Sequence, residues 1–341
     1  MRSVAGGFRR AHGIKVDDAE PEDRGRRCSM GRTWWQRRGR GTGAMVVDRR
    51  ALISAPASEV WELVSDAALF ARTAAAEHLW TFVVPGTPAG FVGERRVTLA
   101  RADDDRISAT LVERVDMEAG RSVVSRNLTN GIEMTSIIEP LGPSSCELTY
   151  RVRATVPKDE LEAHVSLASA SLDARLERMS AHVAGVPARS EHPARRDHDH
   201  VQQAAGRAVA VGTVAAPPAE VWPAVRTTGV DLLDATGQGA ASVVALPDTP
   251  VGEVGEQICI VASDPPFVQV LEVVAQDVGR SVTVRYLTAP TRVDRTVTLA
   301  PSSAGTDVTV SIDFVAPAAE IHEHEARMRV VAETFLRCFQ S

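Results

Sequence analysis

The sequence contains few aromatic residues and almost no lysine. Aromatic residues make up 4% of the 341 residues, and Lys15 and Lys158 are the two lysines among 38 basic residues. The four cysteines are scattered without a CxxC pair, which predicts neither a disulfide framework nor a zinc knuckle and favours a cytoplasmic protein. No stretch approaches the roughly 18 apolar residues that are needed to span a bilayer.

The sequence also lacks the motifs of most nucleotide-dependent and hydrolytic enzymes. It has no GxGxxG after a strand, no Walker lysine motif, no GxSxG and no HExxH. His322 and His324 stand two residues apart, which is the wrong helical spacing for binding one metal. His192, His198 and His200 lie in a polar segment that is typical of a solvated linker. We therefore expect no cofactor and no metal.

Charge is distributed unevenly along the chain. The net charge of -6 divides into +6 for residues 1–44 and -12 for the remainder. An acidic body excludes nucleic acid as a partner of the folded part, because phosphate binding needs a basic face. The basic head has no apolar periodicity and is predicted to be disordered. Binding of RNA or acidic lipid through Trp34 and Trp35 stays open, as does a chain start at Met45.

An internal repeat with a spacing of about 160 residues is the main feature of the sequence. It predicts two copies of one domain, residues 45–185 and 207–341, joined by the polar linker 186–206. The matching segments are ISAPASEVW at 53–61 with VAAPPAEVW at 214–222, TPAGFVGE at 87–94 with TPVGEVGE at 249–256, and GRSV at 120–123 with GRSV at 279–282.

Each copy shows the same sequence of predicted elements. A strand leads through proline into a short helix, several strands with period-two alternation follow, and a long amphipathic helix ends the copy. These patterns predict an α+β fold in which a curved antiparallel sheet of about seven strands wraps around the terminal helix. The apolar stripe of that helix is formed by Leu161, Val165, Ala168, Leu172, Leu176, Met179 and Val183 in the first copy and by Ile321, Met328, Val331, Phe335 and Phe339 in the second.

The opening strand with its A-P-x-x-x-V-W segment, the strand meander and the final helix resemble the helix-grip superfamily of START domains and polyketide cyclases, the SRPBCC group. The resemblance covers nearly all of residues 46–341 and implies a cavity between sheet and helix that holds a hydrophobic ligand. Two such domains in tandem look like the didomain aromatase/cyclases. In one departure from those enzymes, residues 66–72 read DAALFAR, with neither their Trp-Pro nor their Pro-Thr-Val-His segment.

This resemblance implies a cofactor-free enzyme that closes a ring in a poly-β-ketone by aldol chemistry and then dehydrates it. The substrate would be a hydrophobic small molecule, a polyketide or a lipid, delivered by an acyl carrier protein. The alternative from the same resemblance is a non-catalytic carrier or sensor of a lipid, quinone or polyketide.

Candidate catalytic residues follow from the predicted hairpins at Gly120 and Gly279. With the turns centred there, Glu113 faces Arg126 and Glu272 faces Arg285 on the apolar side of each sheet. The arginine would polarise a ligand carbonyl or stabilise an enolate, with the glutamate orienting it. The alternative is a structural ion pair, which its presence in both copies favours.

Further candidates are side chains that differ between the copies or lie on the last helix. Tyr150 is a candidate hydrogen-bond or proton donor, or else a core tyrosine, and His324 is a candidate acid or base. Ser136 is predicted to correspond to Arg295, which faces either inward or, after a register slip, outward. The predicted ligand-binding residues are Trp80, Phe82, Ser136, Leu172, Leu176, Tyr286, Arg295 and Met328.

Overall fold

The computed structural model describes residues 41–66, 69, 78–102, 106–186, 202–226, 241–263 and 266–340. The predicted basic head up to residue 40, most of segment 66–72 and most of the predicted linker lie outside the described residues.

The first domain is a seven-stranded antiparallel sheet with a short helix after its first strand and a long helix after its last. Its strands lie in the order β1-β7-β6-β5-β4-β3-β2. The elements are β1 (Thr42–Ile53), α1 (Ala57–Ser65), β2 (His78–Val83), β3 (Arg95–Arg101), β4 (Ile107–Glu118), β5 (Ser122–Asn127), β6 (Glu133–Gly142), β7 (Ser145–Pro157) and α2 (Leu161–Val183).

The second domain repeats this architecture, with strand order β8-β14-β13-β12-β11-β10-β9. The predicted fold, two helix-grip domains with about seven strands each, is therefore confirmed. The elements are β8 (Gln203–Val214), α3 (Pro218–Arg226), β9 (Ala241–Ala245), β10 (Gln257–Ser263), β11 (Pro266–Asp277), β12 (Ser281–Tyr286), β13 (Val293–Ser302), β14 (Gly305–Pro317) and α4 (Ile321–Cys338).

The hairpins turn at the predicted glycines, with φ of 75° at Gly120 and 79° at Gly279, a region that favours glycine. Glu113 pairs with Arg126 and Glu272 pairs with Arg285, as predicted. Nearer the turns the register shifts by one residue, because each long strand contains a β-bulge. The pairs beyond the bulges are Asp116 with Val124 and Ala275 with Thr283.

The two faces of the first sheet can be followed from strand to strand. Helix α2 packs against β1 and β7, and Arg49 on β1 donates a hydrogen bond to Asp173 on α2. We call this side the inner face. Cross-strand pairing carries the inner face to Tyr150 and Ser136, which lie in the same row as Arg49. The next row runs through Val152, Met134, Ser125 and Arg114, and the row after it contains Val112 and Arg96, which carries the inner face onto β3.

The opposite, outer faces of β2–β4 and β9–β11 pack against each other and join the two domains. The backbone N–H of Ile107 donates to the carbonyl of Leu287 at 2.9 Å, and Arg106 donates to the carbonyl of Pro290 at 2.7 Å. Apolar residues are consequently buried on the outer side of these strands as well. The buried members of this interdomain cluster are Val84, Val97, Leu99, Ile107, Leu111, Leu246, Cys259, Val261, Val270 and Leu287.

Candidate functional site

A cluster of three charged side chains is buried on the inner face of the first domain. Glu94, Arg96 and Arg114 expose only 3%, 5% and 2% of their surface. Glu94 precedes β3 directly, Arg96 lies on β3 and Arg114 lies on β4. We refer to these three residues as the Arg–Glu–Arg cluster.

The glutamate holds the cluster together. Glu94 Oε1 lies 3.3 Å from Arg114 and 3.8 Å from Arg96, while its other carboxylate oxygen accepts a hydrogen bond from the backbone N–H of Gly90. Arg114 also donates to the carbonyl of Ser65 at the end of α1, at 2.6 Å. The cluster therefore connects β3, β4, α1 and the loop before β3 through side-chain contacts.

The guanidinium group of Arg96 is charged at neutral pH. Burial, and next the positive charge of Arg114, lower the pKa of Arg96 to about 10, while Glu94 opposes this change. A second contact of Arg96 is with Ser125 on β5, whose Oγ lies 3.5 Å from the guanidinium. The cluster thus presents two cations and one anion in a dry environment.

Tyr150 and Arg175 form a second group next to this cluster. The guanidinium of Arg175, on α2, lies 5.8 Å from the centre of the fully buried Tyr150 ring and donates to the sulfur of Met134 at 2.9 Å. Burial raises the pKa of Tyr150 to about 12, so its hydroxyl stays neutral. Burial lowers the pKa of Arg175 as well. Ser136, the cross-strand partner of Tyr150, is also buried.

A row of threonines extends this polar inner face across β2, β3 and β4. Thr81, Thr98 and Thr110 are cross-strand neighbours and are only half-buried. The hydroxyls of Thr81 and Thr98 lie 3.3 Å apart. The inner face of β2–β4 therefore combines accessible hydroxyl groups with the buried guanidinium groups beside them, which suits a ligand that carries several oxygens.

The inner face of the second domain is apolar at the matching positions. Gly93 and Gly255 donate to the carbonyls of Arg114 and Val273 respectively, which makes Val273 the counterpart of Arg114. The repeat and the strand registers give the other counterparts, all of them buried. Ile258 replaces Arg96, Val284 replaces Ser125, Val297 replaces Ser136 and Val310 replaces Tyr150.

Arg295 faces inward in the second domain, where its guanidinium carbon lies 3.8 Å from the ring centre of Phe335 and 5.7 Å from that of Tyr286. Its counterpart is Met134, since β6 pairs Met134 with Ser125 and β13 pairs Arg295 with Val284. The predicted match of Arg295 with Ser136 is therefore wrong by two residues. Each domain therefore has a guanidinium group near this position of the inner face. It comes from Arg175 on helix α2 in the first domain and from Arg295 on strand β13 in the second.

Glu113 and Arg126 lie on the outer face, which corrects their predicted place in the cavity. The observed ion pairs are Arg95–Glu113 at 3.0 Å and Arg126–Glu133 at 3.4 Å, and Arg153 lies 3.9 Å from Glu133. These residues are cross-strand neighbours from β3 to β7. They form a ladder of alternating charge on the side of the sheet away from α2.

Glu272 and Arg285 occupy the same outer position in the second domain. Arg285 pairs with Asp294 at 2.9 Å, and Arg292 also binds this carboxylate, at 2.7 Å. Desolvation of Asp294 opposes ionisation, but the hydrogen bonds from both arginines outweigh it and the pKa of Asp294 is lowered. The repeated Glu–Arg pair thus belongs to an outer ladder in both domains.

Trp80 and Phe82 also face outward, since they pair with Leu99 and Val97 and pack into the interdomain cluster. Their predicted place in the cavity is wrong because the apolar side of β2–β4 is the side that contacts the other domain.

The ligand-binding residues predicted on the long helices pack toward the interior of their domains. Leu172 and Leu176 are buried side chains of α2, and Met328 on α4 packs on the core of the second domain. His324 lies at the start of α4, half-buried, with Nδ1 3.1 Å from the carbonyl oxygen of Glu320 and its ring 6.5 Å from that of Phe314.

Residues 44–184 match the protein family described as "Polyketide cyclase / dehydrase and lipid transport". The match thus covers the domain whose inner face is polar. No curated protein matches the chain significantly.

Solved structures similar to the chain include two di-domain ARO/CYC proteins. BexL, from the BE-7585A biosynthetic pathway, is 14% identical with a TM-score of 0.34, over 87% of this chain and 97% of its own. StfQ, from the steffimycin pathway, is 13% identical with a TM-score of 0.33, over 86% and 97%. A truncated norcoclaurine synthase from Thalictrum flavum is 14% identical with a TM-score of 0.35, over 42% and 94%.

Within the described ranges, no three His, Cys, Asp or Glu side chains are grouped so that they could hold a metal ion. In the same part of the chain, we find no helix with the length and apolar character needed to cross a membrane.

Proposed function

We propose that the polyketide cyclase-type first domain binds a poly-β-ketone on its inner face and catalyses aldol cyclisation and dehydration without a cofactor. The second domain serves as its structural support. The contrast between the inner faces carries this proposal. Arg96, Arg114 and Tyr150 in the first domain stand where the second has Ile258, Val273 and Val310. At these matched positions the inner face is polar in the first copy and aliphatic in the second, whose own inward guanidinium, Arg295, lies at a different position.

Arg175 is the side chain best placed to act on the ligand. It is half-buried on α2, at the edge of the polar inner face, and its charge lies close to the Tyr150 ring. A guanidinium in a partly dry site stabilises negative charge that develops on a ketone oxygen. In the ring closure, a methylene between two ketones loses a proton to solvent, and its carbon then forms a bond to a second carbonyl carbon.

The oxygen of that second carbonyl becomes an alkoxide beside Arg175 and takes up a proton from solvent. Loss of this hydroxyl together with a neighbouring hydrogen releases water and forms the double bond. Tyr150 contributes as a positioning residue, because its buried ring lies at cation–π distance from Arg175. Delivery by an acyl carrier protein and a cytoplasmic location remain predictions.

Replacing Arg175 by methionine tests the proposed function. We expect kcat for cyclisation of a poly-β-ketone mimic to fall by about 10²- to 10³-fold, the effect of removing one group that stabilises a developing oxyanion. Arg153→Gln is the matched control, since Arg153 is an exposed arginine of the outer ladder. If the unmodified protein bound the mimic tightly without any turnover, this result would contradict the proposed enzymatic role and would support a role as a carrier of the same ligand.

Tyr150 gives a separate test of positioning. Tyr150→Phe keeps the ring beside Arg175 and should leave kcat within about 3-fold, whereas Tyr150→Leu removes the ring and the cation–π contact, worth about 2 kcal/mol when desolvated, and should lower kcat by at least about 10-fold. A large loss in Tyr150→Phe would instead assign the hydroxyl a direct role as donor. Thermal unfolding of both variants controls for loss of structure.

A further inference from the structure

We infer that Thr98 and Thr110, on the inner face of β3 and β4, bind ketone oxygens in the part of the ligand that does not react. The inference deepens the proposed function, since it rests on a ketone-bearing ligand lying on this face. Thr81 on β2 continues the line of cross-strand neighbours, and we call the three residues the threonine row. All three side chains are half-buried, so they border a ligand without being closed off from it.

The hydroxyl groups of Thr98 and Thr110 have hydrogens to donate. Thr81 donates to Thr98 Oγ1 at 3.3 Å, so Thr98 is the acceptor in this pair. Among the residues that the structure describes, the Thr98 hydroxyl has no acceptor of its own and the Thr110 hydroxyl has no hydrogen-bond partner. A threonine hydroxyl carries one hydrogen and two acceptor lone pairs. A ketone oxygen accepts hydrogen bonds and brings no hydrogen, so it matches these two donors.

The strands that carry the row are held in place from their other side. Val97 and Leu99, the neighbours of Thr98 along β3, are fully buried and pack in the interdomain cluster. Leu111, next to Thr110 on β4, is buried in the same cluster. Donors that are fixed on packed strands lose little freedom when a ligand binds, and a half-buried place strengthens their hydrogen bonds.

The row lies apart from the group that is proposed to act on the reacting carbonyl. Arg175 contacts Met134 on β6 and Tyr150 on β7, whereas the row lies on β2–β4. Strand β5 lies between β4 and β6, so two strand spacings, about 10 Å along the sheet, separate them. A poly-β-ketone carries a ketone on every second carbon, so one ligand can place one carbonyl at Arg175 and others at the row.

The second domain lacks this row, which shows that the pairing of the strands does not require it. The repeat and the strand registers make Ile260 the counterpart of Thr98, and Ile260 is an aliphatic side chain with 6% exposure. Gln269 is the counterpart of Thr110, and its amide donates to the hydroxyl of Thr288 at 3.3 Å. Hydroxyl donors at these strand positions are therefore particular to the first domain.

The experiment compares two probes that differ in one ketone, 3,3-dimethyldecane-2,4-dione and 3,3-dimethyldecan-2-one, by calorimetric titration of the full chain. The two methyl groups block the carbon between the ketones, so the dione forms no carbanion there and reports binding alone. We expect the dione to bind about 3- to 10-fold more tightly, the usual effect of one additional hydrogen bond. Thr98→Val together with Thr110→Val removes both hydroxyls and should reduce this preference to about 1.5-fold or less.

Two variants control for loss of structure. Thr98→Ser together with Thr110→Ser keeps both hydroxyls and should keep the preference for the dione. Thr135→Val removes a half-buried hydroxyl from the outer face of β6 and should leave both affinities unchanged. Equal binding of the two probes by the unmodified protein, or no binding of either, overturns the inference and needs no variant. A preference for the dione that survives in the double valine variant also overturns it.

The two proposals fail in different ways. Turnover of a poly-β-ketone mimic by a protein without a preference for the dione leaves the proposed function standing and removes the ketone-binding role of the row. A preference for the dione without turnover of the mimic does the reverse.

Discussion

Glu94 is the carboxylate that lies 3.3 Å from Arg114 and 3.8 Å from Arg96, and its removal should be costly. In Glu94→Leu, Arg96 and Arg114 would remain buried with like charges close together. We expect the free energy of unfolding to fall by about 3–5 kcal/mol, the usual cost of breaking a buried ion pair from one side. Urea denaturation of the full chain measures this change.

The control for that prediction is to remove the whole cluster. Glu94→Leu combined with Arg96→Ile and Arg114→Val makes both arginine positions the same as in the second domain. Replacing a complete buried charge network by apolar residues is often neutral or stabilising, so the triple variant should recover to within about 1 kcal/mol of the unmodified protein. A triple variant as unstable as Glu94→Leu would show that the cost lies in packing and not in charge.

The outer ladders are an element-scale feature, since each joins neighbouring strands of one sheet by ion pairs. Arg126→Ala should lower the free energy of unfolding by no more than about 1 kcal/mol, because solvent screens its half-exposed pair with Glu133. Arg285→Ala should cost more, about 1–3 kcal/mol, because it removes a hydrogen-bond partner of the buried Asp294. Ligand affinity and turnover should not change, since both arginines lie on the face away from α2. Loss of ligand binding in a variant of normal stability would contradict this placement and would show that these arginines take part in ligand binding.

The same scale shows what the sequence could and could not predict. The internal repeat and the hydrophobic periods predicted two sheets and two long helices, and the hairpin geometry paired Glu113 with Arg126. The choice of face was wrong because an apolar row was assumed to point to the cavity. In β4 the apolar row with Leu111 faces the other domain, and the row with Arg114 faces inward.

One signal for the missed site was present in the sequence. The repeat aligns Glu94 with Glu256, and two residues later it aligns Arg96 with Ile258. A strand position that is charged in one copy and aliphatic in the other indicates that this face of the sheet differs in function between the two domains. Burial of the cluster could not be predicted, because it depends on tertiary contacts such as the hydrogen bond from Arg114 to the carbonyl of Ser65, 49 residues earlier in the chain.

At the scale of the whole molecule, the interdomain cluster makes the two domains depend on each other. Leu99 of the first domain and Val261 of the second are almost fully buried in one cluster. A domain expressed alone would expose this apolar surface to water, at about 25 cal/mol per Å² of area uncovered. We therefore expect the domains to unfold together and the first domain alone to aggregate.

Leu99→Ala tests this coupling. Truncating a buried leucine should cost about 2–5 kcal/mol, and because the cavity opens in a cluster shared by both domains, calorimetry should show one transition at a lower temperature. Val46→Ala is the control, since Val46 lies on the outer face of β1 and is 57% exposed, and should change stability by less than about 0.5 kcal/mol. Two separate transitions, with only the earlier one shifted by Leu99→Ala, would show that the domains are independent and that the second gives the first no structural support.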